Sequence, residues 1–169
     1  GYGVALVLMP GPDICGMYQP EPFEHVVLNL LTNAVRHSPQ GDGHVQIELW
    51  QEERNARTVC MVRVLDNGPG IAPEMQAHLF EKYRAGLNGP HGAGLGLYLS
   101  MGLARKMGGS LCAQNVSGAG AAFTFSFPIQ TAKKAALASE AGPYRAQELA
   151  QRVAVEFSAL PAPQAGGQA

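Results

Sequence analysis

The chain has 169 residues, 46% of them hydrophobic and 15% charged, which suits one domain with a substantial core plus extra segments and excludes disorder over most of its length. Twelve Lys and Arg against 13 Asp and Glu leave a net charge of -1, which argues against a strongly electrostatic nucleic-acid or membrane-surface binder. Three cysteines, Cys15, Cys60 and Cys112, lie far apart in no metal-ligand spacing and read as small buried apolar residues in a reducing compartment.

Residues 3–9 (GVALVLM) and 14–18 (ICGMY) are short apolar runs around PGPD, which predicts a hairpin or edge strands. Helix signals begin near Pro22. Phe23, Val26, Val27, Leu30, Leu31 and Ala34 recur at helical spacing as a buried stripe, and Pro39 with QGDG stops the helix. HVQIELW (44–50) alternates as a half-buried strand, ERNAR makes a polar turn, and TVCMVRVLD (58–66) is a second strand ending at Asp66. NGPGIAPEMQAHLFEKYR (67–84) opens as a glycine loop and continues into a short helix, with Pro73 near its first turn and Leu79–Phe80 near its end.

Residues 85–94 are rich in glycine and expected to be mobile. LGLYLSMGLARKM (95–107) is a predicted helix stopped by Gly108–Gly109, and SLCAQNV (110–116) and AAFTFSF (121–127) are two closing strands. Strands and helices do not follow the βαβ rhythm of a parallel sheet. An α+β fold is expected, a two-layer sandwich with a mixed sheet and helices on one face. Pro128 ends this pattern, so the expected division is a domain over 1–128 and an alanine-rich extension over 129–169. Within the extension, 144–158 carries a helical pattern (Ala146, Leu149, Ala150, Val153, Phe157), and the last nine or so residues read as disordered. No apolar run approaches the roughly 18 residues that cross a bilayer, and no signal peptide is expected. The abrupt start at GYGVALVLMPG reads as part of something longer.

Four short stretches carry chemistry, each with a plain alternative. In NLLTNAVRHSP, Asn29, Asn33, Arg36 and His37 fall within about 100° of helical arc, largely opposite the apolar stripe. Amide oxygens suit a cation, guanidinium suits phosphate and imidazole offers a stacking surface, whereas a solvated polar face is the simpler reading. In DNGPGI, Asp66 at a strand end can accept an exocyclic amine, and Gly68 and Gly70 let backbone approach a flat ring; an ordinary Asp-Asn-Gly turn is the alternative. GAGLGL (Gly92, Gly94, Leu95, Gly96, Leu97) feeds glycine N–H groups into a helix start, as a phosphate site does, or is a hinge. Its spacing is neither the dinucleotide fingerprint nor a Walker loop. FEKYR places Phe80, Lys82 and Arg84 before the glycine-rich segment, as a lid anchor or as a helix end favoured by its dipole.

In this order and spacing, the four stretches resemble the ATP-binding catalytic domain of bacterial sensor histidine kinases. These belong to the wider ATPase superfamily shared with gyrase B, Hsp90 and MutL, whose fold is the Bergerat type. The resemblance covers roughly residues 3–128. It implies ATP and Mg²⁺ as cofactors, with Asn33 as the Mg²⁺ ligand and Asn29, Arg36, Lys82 and Arg84 as the catalytic set. ATP contacts are implied for these residues and for His37, Asp66, Gly68, Gly70, Ile71, Phe80, Gly92, Gly94, Leu95, Gly96 and Leu97. Asp66 would read the adenine amine. Residues 85–91 would form a lid short for the family, and Ala121 stands where many members have threonine, removing one water-mediated contact.

Asn29 occupies the place where gyrase- and Hsp90-like members carry a glutamate general base. An amide cannot take a proton from water, so transfer is favoured over hydrolysis. The resemblance implies γ-phosphate transfer to a histidine on a separate dimerisation domain, then to a response regulator, in a two-component phosphorelay at a cytoplasmic location. None of the five histidines (25, 37, 44, 78, 91) has the family's phosphoacceptor signature, and His25 and His78 read as helix-surface residues. A nucleotide-binding interaction module and an anti-sigma-factor-like serine kinase are the alternative readings.

Overall fold

The structure, a computed structural model, describes residues 3–82, 95–118 and 120–130. Arg84, Gly92, Gly94, the lid reading over 85–91 and the helical pattern at 144–158 lie outside the described residues. The elements run β1 (Val4–Leu8), α1 (Pro20–His37), β2 (Gly43–Arg54), β3 (Arg57–Asp66), α2 (Pro73–Gln76), α3 (Gly96–Lys106), β4 (Ser110–Val116) and β5 (Gly120–Pro128). The five strands form one sheet in the order β1-β2-β3-β5-β4. Only the β1–β2 pair is parallel; the other three are antiparallel. The expected α+β architecture is therefore present, a mixed sheet with its helices on one face.

Alternation along the strands decides which face the helices cover. Val45 of β2, Cys60, Val62 and Val64 of β3, Phe123, Phe125 and Phe127 of β5, and Leu111 of β4 are buried in one cluster. The α1 stripe (Val26, Leu30, Leu31, Ala34) and Ala104 of α3 fill the same cluster. Phe125 and Phe127 stack with centroids 4.9 Å apart, and Phe23 meets Phe127 at 5.5 Å. Deleting a ring of this kind costs about 3–5 kcal/mol, the lost transfer energy plus a cavity. The opposite face is more polar. There Arg63 pairs with Glu48 at 2.6 Å and its guanidinium lies 5.9 Å from the Trp50 ring centre.

α1 starts where the prolines allow, with Pro at its first turn and Glu21 beside the positive helix end. It ends at Ser38, whose Oγ donates to the Ala34 carbonyl at 2.7 Å, just before Pro39. The β2–β3 hairpin turns through Asn55 (φ 50°) and Ala56 (φ 58°), both in the left-handed region that a two-residue turn requires.

Three expectations need correction. Residues 3–9 and 14–18 do not pair as a hairpin. β1 is an edge strand joined in parallel to β2, with Val4 opposite Gly43 and Leu8 opposite Ile47, while 14–18 contributes only a bridge from Met17 to Gln130. The prolines of PGPD lack ladder donors, and α1 supplies the crossover that a parallel pair needs. The helix after DNGPGI is a single turn, Pro73–Gln76, and His78 lies beyond it, its Nδ1 2.8 Å from Glu81. Of the cysteines only Cys60 is buried, where desolvation pushes its thiol up to about 11; Cys15 and Cys112 are exposed.

Candidate functional site

The C-terminal ends of α1, β3 and β4 and the N-terminal ends of β2 and β5 meet at one end of the sandwich. The antiparallel register forces this, since Val45 lies opposite Asp66 and Leu65 opposite Ala122. Asp66, the last residue of β3, is 4% exposed. Its Oδ1 accepts from the N–H of Gly68 at 2.9 Å and of Ala121 at 3.4 Å. Among the described residues Oδ2 takes no hydrogen bond, which leaves one carboxylate oxygen to accept an external donor. Burial pushes the Asp66 carboxyl above its usual range, against the lowering effect of the two N–H groups and of His37.

Backbone crowds this carboxylate closely. A Cβ at Gly68 would meet the His37 carbonyl and Asp66 Oδ1, so the loop passes under the end of α1 only as glycine. Gly120 enters β5 at φ +87°, where a Cβ would lie 2.5 Å from the Asp66 carbonyl oxygen. A pocket of about 340 Å³ opens here, lined by Asn67, Gly68, Pro69, Gly70, Asn115, Val116, Gly118 and Gly120. A larger groove of about 710 Å³ lies at the other end of β3, beside Met17, Tyr18, Arg57 and Gln130, and holds none of the residues singled out in the four stretches.

Asn29 and Asn33 are half-buried one turn apart on α1, and Arg36 and His37 are exposed in its last turn. The two asparagines differ in what they touch. Asn29 Nδ2 donates to Ser100 Oγ at 2.8 Å, and Ser100 is 1% exposed in α3. A Cβ at Gly96 would lie 2.5 Å from Asn29 Oδ1, so this glycine lets the start of α3 close on the amide. Asn33 makes no hydrogen bond among the described residues, so its carbonyl oxygen is available. His37 feels the charges of Asp66 and Arg36. Desolvation holds its imidazole below the ordinary value, Asp66 works the other way, and Arg36 adds to the lowering.

Leu95 and Leu97 are half-buried at the start of α3, and Gly96 is its first residue. Ile71, Phe80 and Leu97 pack against the core cluster, so Phe80 belongs to the wall of the domain. Lys82 is exposed and is the last residue described before 83–94. The structure thus brings Asp66, Gly68, Gly70, Ile71 and His37 around one pocket, and joins Asn29 to Gly96 on its α3 side.

The sequence reading passed over three polar residues. Ser100 looked like a helix-interior serine. Asn67 bridges to the segment before β2, its Oδ1 accepting from the N–H of His44 and its Nδ2 donating to the Asp42 carbonyl, both at 2.8 Å. Asn115 grips both backbone groups of Ile71. The one available signal was an asparagine inside a strand, a position that residue rarely takes.

No group of three or more His, Cys, Asp or Glu suited to a metal occurs among the described residues. The fit to Mg²⁺ rests instead on the available amide of Asn33. Mg²⁺ that keeps its waters and takes most remaining ligands from substrate phosphates asks little more of the protein.

Fold and site together define a two-layer sandwich with a buried carboxylate at the mouth of a glycine-lined pocket. The profile of the Histidine kinase-, DNA gyrase B-, and HSP90-like ATPase family matches residues 18–131, and the chain belongs to that family. Curated relatives include the sensor protein EvgS of Escherichia coli (strain K12), 30% identical over 119 residues, or 69% of this chain and 10% of EvgS. The sensor histidine kinase RppB of Synechocystis sp. is 37% identical over 108 residues, 62% of this chain and 23% of RppB. The chain therefore spans less than a quarter of either relative. Among solved structures, full-length ShkA in complex with AMPPNP is 27% identical with a TM-score of 0.60, covering 78% of this chain and 27% of that one. The mycobacterial sensor histidine kinase MprB has the same fold at a TM-score of 0.61 and 24% identity, over 77% of this chain and 85% of that one. No helix among the described residues is long and apolar enough to cross a membrane.

Proposed function

We propose that this chain is the ATP-binding catalytic domain of a sensor histidine kinase, and that it delivers the γ-phosphoryl group of ATP to a histidine on a separate helical dimerisation domain. The observation that carries the reading is Asp66: a buried carboxylate with one oxygen held by two backbone N–H groups and the other available to the adenine amino group. The AMPPNP bound to the related ShkA supports a nucleotide ligand. Gly68 and Gly70 form the floor of the adenine site, and Ile71 and His37 flank it. The residues from 129 onward are an extension outside the catalytic domain.

Asn29, Asn33 and Arg36 line the path from adenine toward the start of α3, where Gly96 follows Gly92, Gly94 and Leu95. Arg36, Lys82 and Arg84 supply positive charge for the phosphates. Asn33 would hold Mg²⁺, which when bound neutralises phosphate charge. In the transfer the bond from γ-phosphorus to its bridging oxygen breaks, a bond to the acceptor imidazole nitrogen forms, ADP leaves and the imidazole proton passes to solvent. Catalysis is then mostly positioning and charge neutralisation. Asn29 lacks a proton-accepting carboxylate, so water is not activated there. The parent protein passes the phosphoryl group to a response regulator and acts from the cytoplasm.

The test supplies a histidine-bearing dimerisation domain in trans with radiolabelled Mg·ATP. An acid-labile phosphohistidine on that domain is expected. Phosphoserine on a small partner would replace this reading with a serine kinase, and ATP binding without transfer to a cognate domain would make the chain a nucleotide-binding interaction module.

A further inference from the structure

We infer that Asn115, near the end of β4, is a positioning residue for the adenine end of the site, acting through the backbone of Ile71; the inference rests on the nucleotide reading above. Asn115 Nδ2 donates to the Ile71 carbonyl at 2.8 Å, and the Ile71 N–H donates to Asn115 Oδ1 at 2.7 Å. One side-chain amide thus satisfies both backbone groups of a loop residue, as a neighbouring strand would. The contact spans 44 residues of sequence, so it ties the loop to β4.

Gly70 explains how the amide gets there. It sits at φ +79°, and a Cβ on it would lie 2.9 Å from Asn115 Oδ1. The other end of the loop is held the same way by Asn67, bonded to Asp42 and His44. Gly68 to Gly70 therefore hang between two amide clamps, one on the β2 side and one on β4. Asn115 itself is exposed and fills no core. Its loss leaves the sandwich intact and lets the loop leave the position that forms the pocket floor.

A site whose competent geometry is only partly populated binds with a dissociation constant raised by the inverse of that population. Two neutral hydrogen bonds correspond to roughly a tenfold change in population. In the full chain, Asn115→Ala should weaken ATP and adenosine by the same factor, roughly tenfold, while Mg·tripolyphosphate binding stays as it was. A purely structural role would not divide the ligand this way. NMR titrations of the three ligands, with a thermal melt to confirm the fold, give the readout. Unchanged ATP affinity in the folded variant overturns the inference, as does an equal loss for tripolyphosphate. If the parent chain binds no ATP, the nucleotide reading itself fails. Hydrogen exchange at the Ile71 amide of the parent chain gives a check that needs no variant: protection supports the clamp, and exchange as fast as in an unstructured peptide overturns it.

Discussion

Asp66→Asn separates binding from stability, and the structure sets the direction of both. Asparagine keeps an Oδ1 for the N–H groups of Gly68 and Ala121, so the local backbone bonds survive. It replaces Oδ2, the oxygen available to an external donor, with an NH₂ group. Two donors then face each other across the adenine contact. Hydrogen bonds to charged groups are worth about 1.5–3 kcal/mol, so ATP affinity should fall by about 10- to 150-fold. Stability moves the other way. Burial raises the Asp66 carboxyl above 3.8, so the folded chain binds more protons than the unfolded chain between that value and the raised one. Stability therefore falls as pH rises through this window, and at neutral pH the ionised carboxylate is a cost that asparagine removes. Calorimetric titration with ATP, paired with thermal melts, should show weaker binding in a variant at least as stable as its parent. A folded Asp66→Asn chain that binds ATP within about twofold of the parent would refute the reasoning.

His37→Gln tests the neighbouring imidazole. Its pKa lies below 6.5 in the folded chain, so the unfolded chain binds the extra proton first and stability is lost as pH falls below that value. Melting midpoints between about pH 7.5 and pH 5 should drop less steeply in the variant than in the parent. Gly96→Ala would place a Cβ 2.5 Å from Asn29 Oδ1 and turn that amide away from Ser100. ATP affinity should fall about tenfold with little change in melting temperature, read by the same calorimetry. Asn33→Ala should abolish the difference between ATP affinities measured with Mg²⁺ and with EDTA. Ala56→Gly relieves a positive φ in the β2–β3 turn and should stabilise the fold by about 1 kcal/mol in urea unfolding.

What the sequence revealed follows from the range of the signals. The α1 stripe and the alternation of β3 and β5 are local periodicities imposed by burial on one face, and they locate the core directly. Asp66 was legible because it ends an apolar strand and precedes two glycines. β1 was misread because a parallel partner lies beyond a crossover helix, and a pair of short apolar runs looks the same either way. Cys15 and Cys112 were misread because residue type alone does not say which part of a loop or edge strand faces water. The Asn29–Ser100 and Asn115–Ile71 bonds span 71 and 44 residues, and no periodicity encodes such side-chain pairings.

The most direct test of the account is to titrate ATP into the full chain and follow its backbone amides by NMR. The nucleotide reading predicts that the amides of Gly68, Gly70, Ile71 and Ala121, around Asp66, shift first and saturate together. Shifts centred on the larger groove beside Met17, Tyr18 and Gln130, with the Asp66 end unmoved, would contradict it.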